Sequence, residues 1–159
     1  MTSPMTLSQF LARPDVEAPT ATAAPVLAAL PVDAGQFSGV RYDAPADYRV
    51  RELRGAKMRT VAELFDEFAA AFQFPYYFGA NKDAFDECLR DLDDFVGDGP
   101  GYVAVIRTAD DLLADQPTER EWFDSAMREC AAYWARRDVA FRVVLQGDPD
   151  TFDAVALSA

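Results

Sequence analysis

The chain of 159 residues contains no histidine. This removes the side chain that most often shuttles protons near neutral pH, so any catalyst built here would depend on carboxylates. There are two cysteines, Cys88 and Cys130. Each sits among apolar residues at helical spacing, which predicts reduced core thiols rather than a disulfide or a nucleophile. No run of about 18 apolar residues is present, so no membrane-spanning helix is expected. The first residues lack the basic start and unbroken apolar stretch of a secretory signal, and a cytoplasmic location is the expectation. Positive charge is also scarce. Lys and Arg number 15 against 27 Asp and Glu, giving a formal net charge of −12. Such a field repels nucleic acid and anionic membrane and speeds encounter with basic partners, although acidity also serves solubility alone.

Half of the residues are apolar, enough for one globular domain with a real core and an additional segment. Residues 1–45 carry Asp15, Glu17, Asp33 and Asp43 against Arg13 and Arg41, a balance of −2, which leaves −10 on the remainder. The boundary falls there in composition as well. Val16–Pro31 is rich in Ala, Pro and Thr, as a weakly structured linker would be. Leu7, Phe10 and Leu11 have the spacing of one amphipathic helical turn, and Phe37, Val40 and Tyr42 are available to dock. Residues 1–45 therefore read as an N-terminal extension, either linker-like or a docked arm, ahead of a domain over 46–159.

From Tyr48 the pattern becomes regular. Tyr48–Leu53 alternates as a strand does, and Gly55 turns the chain. Thr60 with Glu63 is a capping box opening a helix whose apolar face is Val61, Leu64, Phe65, Phe68 and Phe72, closed by Pro75. Asn81 caps a second helix with Phe85, Cys88, Leu89 and Leu92 inward. Gly97–Gly101 is a loop, and the unbroken apolar run Tyr102–Ile106 predicts a strand buried on both faces. Thr108 and Asp111 suggest a short helix through Leu113. Thr118 with Glu121 reads as a second capping box for a long helix with the seam Phe123, Met127, Cys130 and Trp134. Phe141–Leu145 is expected as the last strand. Helical crossovers of these lengths favour parallel neighbours. The expected fold is α/β, a small three-stranded parallel sheet packed with helices.

The second helix carries the chemistry. With its apolar stripe inward, the opposite face presents Asp83, Glu87, Arg90 and Asp94. Asp83 and Glu87 are one turn apart, an arrangement that costs about 0.2–0.5 kcal/mol in an isolated helix. Asp83 also lies in the first turn, where an acid is favoured by the helix dipole, and a charged outer face suits any surface helix. The preceding Tyr76, Tyr77 and Phe78 cannot all be buried. Exposed tyrosine offers apolar area together with a hydroxyl, a combination enriched in protein interfaces.

This segment resembles the signature of the barstar family of bacterial intracellular ribonuclease inhibitors. Pro75, Tyr77, Gly79, Asn81, Asp83, Ala84, Cys88 and Leu89 match its pattern without a gap, and Phe74, Phe78 and Glu87 are conservative changes. The resemblance covers about residues 46–148. It implies a barstar-like fold, no cofactor and no catalytic residues. It also implies a partner-binding site in which Tyr77 packs on a basic ribonuclease, Gly79 and Asn81 contribute backbone or amide contacts, and Asp83 and Glu87 meet cationic residues of the cleft. Asp86 adds charge where the family often has tryptophan. Ala80 lies where an acid is common, and the acid expected from the last long helix is missing around Ala131–Tyr133, with Glu129 the nearest substitute. The implied role is an intracellular, antitoxin-like inhibitor, monomeric when free. Two rivals stand beside it: a barstar-like module for another basic protein, and a Mg²⁺-assisted carboxylate enzyme using Asp91, Asp93 and Asp94, whose side chains point in three directions along one helix.

Overall fold

The computed structural model describes residues 5–12 and 25–158. Its centre is one parallel sheet of six strands: β1 (Met5–Thr6), β2 (Leu27–Ala29), β3 (Arg49–Arg54), β4 (Gly101–Arg107), β5 (Ala140–Leu145) and β6 (Val155–Ser158), in the order β1-β6-β2-β5-β4-β3. The three strands expected from the sequence are β3, β4 and β5. The three-stranded sheet is therefore corrected to six strands. Phe141–Leu145 is not the last strand, because β6 follows it, and the Ala/Pro-rich segment supplies β2. The rest of Val16–Pro31 ahead of residue 25 lies outside the described residues.

The physical reason lies in β4 and β5. Residues 101–106 and 140–145 are all buried. A strand buried on both faces needs a second layer, and a strand buried along both edges needs two neighbours. On one face Tyr102, Ala104, Ile106, Phe141, Val143 and Leu145 pack with α3 (Val61–Phe72) and α6 (Arg120–Ala135). On the other, Val103, Val105, Ala140 and Val144 pack with Phe10 and Leu11 of α1 (Leu7–Leu11), Phe37 of α2 (Ala34–Phe37), and Val40. The described residues ahead of β3 thus supply β1, β2 and much of the second layer, and β6 supplies the remaining strand. Phe37 and Val40 are buried within that layer, whereas Tyr42 is exposed and meets Arg41.

Local signals behave mostly as their chemistry dictates. Thr60 and Glu63 form the reciprocal capping box of α3, and Leu64, Phe65, Phe68 and Phe72 are buried beneath it. The helix ends on Gln73, in a left-handed conformation, before Pro75 is reached. Gly55 cannot carry a side chain, since a Cβ there would stand 2.2 Å from the Thr108 carbonyl oxygen. The second capping box does not form. Pro117–Glu119 is a 3-10 turn that runs directly into α6, so Thr118 lies inside that turn and Glu119 starts the helix without a side-chain cap.

Candidate functional site

The candidate site is α4 (Lys82–Leu89) with the turn before it. Asn81 is extended, and its side-chain oxygen accepts the Ala84 amide at 2.8 Å, fixing the helix start. Its Nδ2 reaches back to the Gly79 carbonyl at 3.4 Å. Ala80, between them, takes a left-handed φ of 50°, which costs a non-glycine residue about 1 kcal/mol. Phe85, Cys88 and Leu89 are buried as the inward stripe. Leu92 is buried too, but it belongs to a separate short helix, α5 (Leu92–Phe95). Arg90 caps the end of α4, so Asp94 does not continue the acidic face of one helix as its spacing suggested.

The far end of α4 is pinned to α6. Trp134, 3% exposed, donates its indole N–H to the Leu89 carbonyl at 2.8 Å. Cys130 Sγ lies 3.7 Å from the same oxygen. The near end is tied by Lys82, whose ammonium pairs with Glu119 at 2.7 Å and sits over the Trp122 ring at 4.9 Å. That contact engages the first-turn cation of α4 away from the neighbouring carboxylates.

Asp83 and Glu87 are exposed, and neither forms an ion pair among the described residues. Gly79 and Asn81 are exposed beside them, and Tyr77 is 71% exposed. Phe78, in contrast, packs edge-on against Phe65 and Phe74. Asp86 is half-buried rather than exposed. It lines a groove of about 330 Å³ between α4 and α6, together with Arg90, Glu129, Tyr133 and Arg136. Loss of hydration pushes its carboxyl above the ordinary range, and Glu129 and Asp83 add to the shift while Arg90 opposes it. Asp91 is also pushed up, first by burial and then by Asp94 and Asp93. Glu129 is thus brought to Asp86 across the groove. Its helical position near Ala131–Tyr133 was the signal for it in the sequence.

Among the described residues no group of three or more Cys, Asp or Glu is arranged to hold a metal ion, and no helix is long and apolar enough to cross a membrane. Burial raises both thiols, Cys130 most strongly, so each is held as a protonated packing group. A larger crevice, about 490 Å³, lies where β2, β4 and β5 end, and it is lined by Val32, Thr108, Asp110, Gln146 and Asp148. Its amide and one carboxylate are engaged in binding the loops together: Gln146 accepts from the Thr108 amide and donates to the Val32 carbonyl, and Asp110 accepts from the Asp148 amide.

A comparison with curated protein sequences returned no match. Among solved structures, the chain is similar to the crystal structure of Cdc6p from Pyrobaculum aerophilum, with a TM-score of 0.52 and 18% identity. That likeness covers 82% of this chain but only 38% of the other, and at this identity it concerns the α/β fold alone. The family model described as barstar, the barnase inhibitor, matches residues 48–146. That span runs from the start of β3 through β5 and includes α4 with its aromatic turn, and the chain belongs to the barstar family.

Proposed function

We propose that this protein inhibits a basic ribonuclease by seating α4 and its preceding turn in the enzyme's active-site cleft, acting in the cytoplasm. The observation that carries the reading is the state of Asp83 and Glu87. They are two exposed carboxylates one helical turn apart, unpaired among the described residues, on a helix fixed at both ends. Membership of a family described as barnase inhibitors supports the same role. The carboxylates stand in for the phosphates of RNA and pair with lysine or arginine of the cleft. Tyr77 excludes water beside them, Gly79 allows close approach of the backbone, and Asn81, whose oxygen caps the helix and whose Nδ2 also reaches the Gly79 carbonyl, has one amide hydrogen left for contact. Asp86 contributes negative potential from the groove. The net charge of −12 draws the cationic partner in.

The test is inhibition of RNA cleavage across a panel of small basic ribonucleases that includes barnase. Glu87→Ala should weaken inhibition by at least about 2 kcal/mol, roughly thirtyfold, because it leaves a buried charge on the partner unpaired. Asp150→Ala, a control at an exposed acid outside the candidate site, should have no effect. Association should slow as salt rises. Equal effects of the two substitutions, or an association rate indifferent to salt, would refute the site. A second reading is favoured by Asp86 and Glu87, which depart from the family pattern: a module for some other basic protein. Tight capture of a cationic protein without inhibition of any ribonuclease in the panel would select it.

A further inference from the structure

The turn before α4 has a specific construction. The Phe78 amide donates to the Pro75 carbonyl at 2.9 Å and closes a four-residue turn. Its flanks are anchored: Phe74 packs against Phe78, Phe85 and Phe95, and Phe78 packs against Phe65. The two apex residues, Tyr76 and Tyr77, are the large side chains left outside. Tyr76 is fully exposed, and the two rings meet nearly at right angles, 5.7 Å between centroids.

Such a pair does nothing for the core. An exposed ring is hydrated without gaining burial, and Tyr76 holds a position that the family pattern leaves open. As a binding element, however, it is well prepared. The turn and its buried flanks fix the backbone, and tyrosine has few rotatable bonds, so little freedom remains to be lost on association. In an edge-to-face pair one ring keeps its negative π-face open, and that face attracts ammonium and especially guanidinium groups. The carboxylate of Asp83, in the first turn of the adjoining helix, reinforces attraction for the same charge.

We propose that Tyr76 and Tyr77 form a two-ring clamp that holds an arginine or lysine at the rim of the partner's cleft, with Tyr76 a specificity-determining contact of this chain. The inference rests on the ribonuclease-inhibitor reading and adds to it a cation outside the one met by Asp83 and Glu87. The clamp acts after encounter and governs how long the complex lasts.

The experiment compares Tyr76→Ala, Tyr76→Phe and Glu87→Ala by surface plasmon resonance, using barnase first and then every other ribonuclease of the panel. Tyr76 is fully exposed, so the variants should keep the wild-type urea midpoint, which verifies folding. Tyr76→Ala should raise Kd about tenfold, mostly through faster dissociation, while Tyr76→Phe stays within about twofold because the ring is kept. If Tyr76→Ala stays within about twofold while Glu87→Ala weakens binding, the clamp is refuted and the inhibitor reading stands. If Tyr76→Phe is as damaging as Tyr76→Ala, the hydroxyl rather than the ring face makes the contact, and the clamp again fails. If no ribonuclease binds the wild-type chain, both readings fall together.

Discussion

Replacing Trp134 with phenylalanine tests how α4 is held in place. Among the described residues, the indole N–H gives the buried Leu89 carbonyl its one strong hydrogen bond, at 2.8 Å, and Cys130 Sγ at 3.7 Å is a weak substitute. Phenylalanine fills much of the same space but donates nothing. A buried carbonyl left without its partner costs about 1–3 kcal/mol. The smaller ring also surrenders contact with Tyr102 and Tyr133, about 1 kcal/mol at ~25 cal/mol per Å². The expected loss is therefore about 2–4 kcal/mol. Urea unfolding followed by far-ultraviolet circular dichroism reads it directly, and a slope of about 2 kcal/mol per molar places the midpoint roughly 1–2 M lower. The slope itself should not change. A loss below about 0.5 kcal/mol would mean that the Leu89 carbonyl finds water or another donor, and that α4 is not pinned at this point.

Two further substitutions probe different parts of the structure. Asp86→Asn removes a carboxyl whose folded pKa is raised by lost hydration and by Glu129 and Asp83. The folded state therefore holds that proton more tightly than the unfolded chain, whose carboxyl titrates near 3.8. The penalty is absent below that value, appears as pH rises toward the folded pKa and is complete above it. The variant should gain about 0.2–0.5 kcal/mol at pH 7 and nothing at pH 3, as judged by melting temperature; an equal gain at both values would refute the charge argument. Phe37→Ala removes a ring only 1% exposed beneath the second face of the sheet and should cost about 3–5 kcal/mol in one cooperative transition, as read by calorimetry. A cost under about 1 kcal/mol would mean that the N-terminal segment contributes little to stability.

Much of the chain's organisation was legible where physical signals were local and strong. The capping box at Thr60, the cap at Asn81 and the buried seams of α3, α4 and α6 follow from periodicity and hydrogen-bond chemistry that involve few residues. The missing strands carry no such signal. β2 is Leu27-Ala28-Ala29, with alanine, a poor strand former, in two of its three positions, and β6 has four residues. Their pairing is set by what they dock against. A clue lay instead in Tyr102–Ile106, whose apolar run on both faces demanded a second layer that three strands and one set of helices cannot provide. Thr118 misled because the pattern of a capping box says nothing of Pro117, which begins a tighter turn at that point. At the candidate site, the exposure of Asp83 and Glu87 agrees with the face drawn from helical spacing, and that of Tyr77 with the argument that three adjacent aromatics cannot all be buried. The half-burial of Asp86 does not follow from spacing, since it depends on how α6 crosses α4.

The position of β2 has a consequence for the order of assembly. Residues 27–29 lie between β5 and β6, pairing with residues 143–145 on one side and 155–156 on the other. A strand translated early thus receives its neighbours only after residues 143–145 and 155–156 have left the ribosome. Until then any partial sheet of β3 and β4 leaves its apolar second face exposed, and the alanine-rich strand must be kept from wrong partners. Closure of the sheet waits on residues 155–156, and that interval is the one in which a chaperone would have work to do.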